Sequence, residues 1–268
     1  MRILFIGDIF GHVGRRACHE LIPKLKEKYQ IDYVIANAEN TTNGKGLSLT
    51  HYEELMQSGI DFFTMGNHTW DNNEIYQIFL NKNNIIRPGN VTLNVPNDYA
   101  LSSKLVVKNN LKIRITNLMG LTVTGKRFIS LSPFIFFMNF LQELKDNDDA
   151  DIHLVDFHAE TTAEKAAFFH MFDGQVSAVL GTHTHVQTND AQISPLGTAF
   201  ITEVGMTGAK DSIIGALPKP ILDFYKGVTD RMYINAADGK YQFSCVILTI
   251  DDETKKISSI KNELIFED

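Results

Sequence analysis

The sequence predicts an α/β fold in which two packed mixed β-sheets lie between outer helices, a four-layer αββα sandwich forming one domain over residues 1–268. Three observations lead there. Short apolar runs repeatedly end in polar side chains, the pattern of an α/β fold whose site lies at the carboxyl edge of its strands. Strand-like and helix-like stretches alternate early in the chain and again from Asp151 onward. The mixture continues throughout with no linker or internal repeat, over a length ample for a proper core.

Taken in order, residues 3–6 read as a buried parallel strand that Gly7 and Asp8 end. Gly11 and Gly14 loosen the next loop, and residues 15–29 carry apolar side chains at helical spacing. A second strand, residues 32–36, runs into Asn37-Ala38-Glu39-Asn40 and a turn-rich loop, residues 41–46. A helix over 50–57 is expected, with Thr50 as cap and Glu53 in the capping-box position. A third strand, 61–65, delivers Gly66-Asn67-His68. Residues 99–108 and 111–117 flank Asn109-Asn110 as an antiparallel hairpin. Residues 132–145 form a Phe-rich helix, read as core packing, with an apolar lid over a nucleobase as the alternative. Then βαβ order returns: a strand over 151–158, a helix over 161–172 and a strand from Val176. Residues 192–194 and 199–202 suggest another hairpin, and two strands, 241–250 and 255–265, close the chain.

Composition bounds the function. The net charge of −7 argues against broad nucleic-acid binding. Cys18 and Cys245 lie far apart, outside any metal-type spacing, and read as reduced thiols of a cytoplasmic protein. The apolar start is interrupted by Asp8 too soon for a signal peptide. The longest uncharged apolar run, residues 128–142, is shorter than the ~20 residues of a membrane span and contains Pro133.

The chemistry gathers at the strand ends: Asp8, Glu39, Asn40, Asn67, His68, His158, His183 and His185. Singly each has an ordinary explanation. Asp8 serves as a helix cap, the asparagines as turn residues, a lone histidine as structure. Together they are hard to read as loop decoration. Five strand ends each supply nitrogen or oxygen donors and none supplies a thiolate, which suits two adjacent first-row ions such as Fe, Mn or Zn. His183 and His185 stand two residues apart, so in extended chain both imidazoles face the same way.

These residues resemble the calcineurin-like metallophosphoesterase superfamily. The matching pieces are Gly7-Asp8, Ala38-Glu39-Asn40, Gly66-Asn67-His68, Phe157-His158 and Gly181-Thr182-His183-Thr184-His185. Phe10 stands where the wider superfamily has a histidine, and Glu39 followed by Asn40 where it has an aspartate. Both departures resemble a narrower group, the YmdB-like bacterial phosphodiesterases, and the likeness runs over most of the chain. The resemblance implies that Asp8, Glu39, Asn40 and His185 hold one metal ion. It implies that Glu39, Asn67, His158 and His183 hold the other, with Glu39 bridging. Iron is the first expectation, Mn or Zn the alternatives. Such a pair, ~3.5–4 Å apart, clamps a phosphate and holds a bridging hydroxide for in-line attack. His68 then protonates the leaving alkoxide or steadies the phosphoryl oxygens. The implied substrates are small phosphodiesters, 2′,3′-cyclic nucleotides in particular. A phosphomonoesterase or nucleotidase, and a low-turnover nucleotide-binding signalling protein, are the alternatives. Homo-oligomerisation stays open.

Other residues carry weaker expectations. His153 reads as structural, and His12 and Lys45 as candidate substrate contacts. Gly205 to Gly208 reads as a turn or a backbone nest, and Glu203 as a carboxylate that orients a histidine or simply ends a strand.

Overall fold

The computed structural model describes residues 1–93, 100–123, 125, 128–145 and 149–268. Strand β1 (Arg2–Ile6) leads through β2 (Asp8–Ile9) into α1 (Gly11–Tyr29), then β3 (Tyr33–Asn37), α2 (Leu49–Gln57), β4 (Phe62–Thr64) and α3 (Ile75–Asn81). The middle comprises β5 (Val91–Leu93), β6 (Ser103–Lys108), β7 (Leu111–Met119), β8 (Phe128–Ser130) and α4 (Pro133–Leu144). Next come β9 (Ile152–His158), α5 (Thr162–Phe172), β10 (Ala178–Thr182), β11 (Gln192–Ile193), β12 (Ala199–Ile201) and β13 (Met206–Ala209). Helix α6 (Pro218–Tyr225), β14 (Tyr241–Ile250) and β15 (Ile257–Phe266) follow.

Two mixed sheets carry the site. In one the order is β2-β13-β14-β1-β3-β4, with β15 on β14; in the other it is β11-β12-β10-β9-β7-β6. Their centres, β1-β3-β4 and β7-β9-β10-β12, are parallel, so the strand ends on each converge on one edge. Alternation along each strand sets the packing. Ile3 and Phe5 of β1 face Ile115, Leu154 and Leu180 of the second sheet in one apolar cluster. Leu4 and Ile6 face the other way, onto Val13, Leu21 and Ile22 of α1. On the second sheet Val155, Phe157 and Val179 meet Phe137 of α4 and Phe168 and Phe172 of α5. The Phe-rich helix is therefore core packing, as its composition suggests. Among the described residues no helix is long and apolar enough to cross a membrane.

Local chemistry explains where elements begin. Asn109 and Asn110, both at positive φ, make the two-residue turn of the β6–β7 hairpin. Tyr99, at the expected start of that hairpin, lies outside the described residues. Thr161 and Ser132 cap α5 and α4 with side-chain oxygens, each worth about 1 kcal/mol.

Several expectations are corrected. Helix α1 begins at Gly11, not in a loop. Gly14 lies inside it because a Cβ there would sit 2.3 Å from the Thr207 carbonyl oxygen. Phe10, not Asp8, is its N-cap residue. Helix α2 is capped by Ser48, whose hydroxyl accepts from His51 N, so the expected Thr50 cap falls inside the helix. Of Gly205–Gly208, residues 206–208 are strand rather than turn or nest: β13 pairs in parallel with β2, at Met206 opposite Asp8.

Candidate metal centre

The sequence-expected residues come together at the shared strand edge. Asp8 lies on β2, Glu39 and Asn40 follow β3, Asn67 and His68 follow β4, His158 ends β9, and His183 and His185 follow β10. Both sheets therefore contribute. The histidine pair is not extended, however. His183 has φ 104° and His185 φ 64°, so the chain coils past Thr182 and the two rings take different partners.

His158 Nε2 is the centre of one group. Asn67 Oδ1 lies 3.0 Å from it, His183 Nδ1 3.0 Å and Glu39 Oε1 3.2 Å. The metal-capable atoms of Glu39, His158 and His183 all fall within 4.8 Å of one another. A second group adjoins it: Asn40 Nδ2 donates to Glu39 Oε1 at 2.9 Å and lies 3.2 Å from His185 Nε2. Glu39 is common to both. Asp8 accepts from His183 N through Oδ2 at 3.0 Å. Its Oδ1 is fully buried, lies 3.8 Å from His158 Nδ1, and has no hydrogen-bond partner. A buried carboxylate oxygen left in that state is costly unless a cation satisfies it. Gly66 makes room for the cluster, because a Cβ there would sit 2.3 Å from both Glu39 Oε2 and His158 Nε2.

The outer partners fix which ring nitrogen points inward. Thr182 Oγ1 donates to Asp156 Oδ1 at 2.6 Å, so it accepts from His158 Nδ1 at 2.9 Å. His185 Nδ1 faces the Ile214 carbonyl oxygen at 2.9 Å, which only accepts. His183 Nε2 faces Glu160 Oε2 at 2.9 Å. In each neutral ring the other nitrogen carries the lone pair and faces the cluster, as a metal ligand must.

The electrostatics ask for positive charge at the same place. Burial opposes a charge on His158, yet Glu39, Asp8 and Asp156 outweigh it and lift its pKa to about 9. Burial and the charge of His158 push His183 down to about 3. Burial raises Asp8 to about 6 against the pull of His158 and His185. Burial also works to raise Glu39, but His158, His68 and His183 together hold it below the usual carboxylate range. A proton on His158 therefore does what a cation would do among two carboxylates and several lone pairs. Two carboxylates, two carboxamides and three imidazoles, with no thiolate, fit first-row divalent or trivalent ions.

His68 stands beside the cluster. Its backbone N donates to Glu39 Oε2 at 2.8 Å, and its Nδ1 lies 2.7 Å from Asp71 Oδ2. Burial would lower its pKa, but the Asp71 hydrogen bond and the charge of Glu39 overcome that and raise it. His68, Glu39, Asn40, Lys45, His183 and His185 line one open cavity of about 320 Å³.

A family model described as YmdB-like protein matches residues 4–262. The chain belongs to the YmdB-like family. The 2′,3′-cyclic-nucleotide 2′-phosphodiesterase of Bacillus subtilis (strain 168) is 41% identical over 268 residues, covering 100% of this chain and 98% of the relative. A crystal structure of a novel phosphatase from Mycoplasma pneumoniae matches with a TM-score of 0.92 at 40% identity, covering 100% of this chain and 94% of that one. The structure of a hypothetical protein from Thermus thermophilus matches with a TM-score of 0.88 at 35% identity, over 100% of both chains.

In this YmdB-like chain Phe10 fills a fitted slot beside the cluster. Its ring meets His185 edge-on at 5.7 Å between centroids. A Cβ on Gly44 or on Gly215 would come within 2.6 Å of that ring. The residues that sequence reasoning passed over are the orienting ones. Thr182 sits opposite His158 in the β9–β10 register, which the sequence does not reveal. Asp156 lies two residues before His158 and Asp71 three after His68, spacings that offered a signal. His12 is not at the site; it pairs with Asp238 at 2.9 Å. His153 is structural, its Nε2 2.8 Å from Thr116 Oγ1.

Proposed function

We propose that the chain is a metal-dependent phosphodiesterase that hydrolyses small phosphodiesters, 2′,3′-cyclic nucleotides among them. One observation carries this reading: lone-pair atoms of Glu39, Asn67 and His183 converge on His158 Nε2 at 3.0–3.2 Å, beside the unpartnered Asp8 Oδ1. The membership in the YmdB-like family and the name of the B. subtilis relative support the substrate class.

Asp8, Glu39, Asn40 and His185 would hold one ion, and Glu39, Asn67, His158 and His183 the other, with iron the first expectation and Mn or Zn the alternatives. Asn40 turns its amide nitrogen to Glu39, so its oxygen ligates after the carboxamide rotates. When bound, the ions supply charge for the phosphoryl oxygens and acidify the attacking water. The chain's own side chains do the rest. Asp71 holds His68 Nδ1 and favours the charged ring, so His68 Nε2 is the nitrogen that gives a proton to the leaving alkoxide. Lys45, exposed in the same cavity, adds positive charge near the phosphate. Glu160 and the Ile214 carbonyl keep the ligating nitrogens of His183 and His185 turned inward. We also read residues 1–268 as one domain layered helix, sheet, sheet, helix, acting in the cytoplasm.

The name of the M. pneumoniae structure, a phosphatase, favours a second reading as a monoesterase, because the same clamp serves both esters. The test is elemental analysis of one anaerobically purified sample, assayed with bis-p-nitrophenyl phosphate, 2′,3′-cyclic nucleotides and p-nitrophenyl phosphate. Bound metal, diester turnover, and a sharp fall of 2′,3′-cyclic-nucleotide turnover in His68→Ala establish the reading. Monoester turnover alone selects the second reading. No bound metal and no metal-stimulated turnover reject both.

A further inference from the structure

The cavity over the ligand cluster has two unlike walls. One is polar and holds the ligand residues with His68 and Lys45. The other is apolar: Ile214, Ile221, Tyr225, Met232 and Ile234, all from residues 213–234. Among the described residues of this segment, Ile214, Tyr225, Met232 and Ile234 are exposed, Tyr225 at 74%. Apolar side chains scattered singly over a surface need no explanation, but a group gathered on the rim of a polar site does. Ile221 is buried, but the exposed side chains of Ile214, Tyr225, Met232 and Ile234 are not part of any apolar core cluster of the described residues.

The wall is built in register with the site. Ile214, at φ 47°, accepts through its carbonyl oxygen from His185 Nδ1 at 2.9 Å. Gly215 O accepts from Ala237 N at 2.8 Å, and Asn235 O accepts from Leu217 N at 2.8 Å, which closes the segment on itself. Helix α6 ends at Tyr225 and carries that ring to the cavity. An ester whose phosphate lies at the ligand cluster has this surface beside it for its organic part.

We propose that the wall of residues 213–234 is the nucleoside subsite: it takes the base of a nucleotide ester by apolar contact and by stacking on Tyr225. The inference rests on the phosphodiesterase reading and adds the part of the substrate that the ligand cluster does not address. Of the residues of this segment that line the cavity, Tyr225 alone has a polar side-chain group, so the wall reads ring area rather than base edges. Binding follows ring area: purines exceed pyrimidines, and adenine and guanine are nearly equal.

Isothermal titration of the metal-loaded protein tests this with two probes, adenosine 3′-monophosphate and inorganic phosphate. Phosphate reads the ligand cluster alone; the nucleotide reads cluster and wall. The wild type should bind the nucleotide at least about tenfold more tightly than phosphate. Tyr225→Ala and Ile234→Ser, both at exposed positions, should each weaken the nucleotide about fivefold to tenfold and leave phosphate unchanged, while Tyr225→Phe restores the nucleotide. Variants that leave nucleotide binding intact, or weaken both probes equally, overturn the subsite. So does a wild-type dimer that the same substitutions dissociate without altering nucleotide affinity, since the wall would then belong to a second copy. Failure of the phosphodiesterase reading looks different: the wild type then binds neither probe and turns over no diester.

Discussion

At the scale of single residues, hydroxyls and carbonyls decide what the imidazoles can do. Thr182 is the clearest case. Its hydroxyl spends its proton on Asp156, so His158 must present Nε2 to the cluster. Thr182→Val keeps the volume and removes the relay. Metal affinity should fall about 10–100-fold, as when other outer partners of a ligating histidine are lost, with the fold unchanged. Competitive chelator titration with circular dichroism reads both, and unaltered affinity would mean the tautomer is set elsewhere. His68 invites a different measurement. A group that protonates the leaving oxygen matters most when that oxygen is strongly basic. His68→Ala should cost about 10²–10⁴ in kcat with 2′,3′-cyclic nucleotides and far less with bis-p-nitrophenyl phosphate, whose leaving group needs little help. Equal losses on the two substrates would assign His68 to steadying the phosphoryl oxygens instead. Asp71→Asn should show the same substrate dependence in weaker form, because Asp71 holds His68 Nδ1 and does not itself face the leaving oxygen in this reading.

At the scale of elements, the turn after β10 is held by a buried ion pair. Lys165 Nζ on α5 donates to Glu203 Oε2 at 2.7 Å, and both side chains are almost fully buried. The same oxygen accepts from Thr184 N at 3.0 Å and Thr184 Oγ1 at 2.7 Å, while Oε1 accepts from Gly205 N. Glu203 thus anchors the residue between His183 and His185, and through it the positive-φ course that separates their rings. Lys165→Met leaves that carboxylate buried and unpaired, and should cost about 3–5 kcal/mol in urea unfolding. Lys165→Met with Glu203→Gln removes both charges and should recover much of that loss, a coupling that a double-mutant cycle measures directly. A strictly additive pair would show that the turn does not depend on the ion pair. The strand ends themselves were legible, because each is a short apolar run stopped by polar residues. The conformation of 183–185 was not: alternation assumes extended chain, and nothing local marks where Glu203 and Asp8 bend it. The same limit hid Thr182, whose role depends on register between strands that are joined by a whole helix. One helix start failed for a different reason. The cap of α2 is Ser48, two residues before the expected Thr50, and Ser is the stronger N-cap type.

At the scale of the whole molecule, the proposed ligands are shared between two sheets. Asp8, Glu39, Asn40 and Asn67 belong to the sheet that contains β1, and His158, His183 and His185 to the one that contains β9. An apolar interface built from Ile3, Phe5, Leu154 and Leu180 already joins these sheets, but such an interface is not directional. Contacts at the carboxyl edge are, and they bring the two carboxylates of one sheet against the imidazoles of the other. Without a cation the edge holds Asp8 and Glu39 with a proton on His158, and one oxygen of Asp8 stays unsatisfied. A cation held as proposed would take the place of that proton, could satisfy that oxygen and would be held by residues of both sheets. Such an ion would bind the folded edge far better than the unfolded chain, in which the donors are scattered from residue 8 to residue 185. Metal at about a hundred times its dissociation constant should add about 2.7 kcal/mol to stability. For a chain of this size that is a rise of several degrees in Tm, reversed by chelation. Asp8→Asn separates this coupling from simple charge relief. It keeps the shape but lacks the second carboxylate oxygen, so the chelated protein should be as stable as the chelated wild type or more so, and the response to metal should shrink. Calorimetric scans of both proteins with and without metal carry the comparison. A metal-induced rise that survives Asp8→Asn undiminished would place the stabilising ion away from this edge.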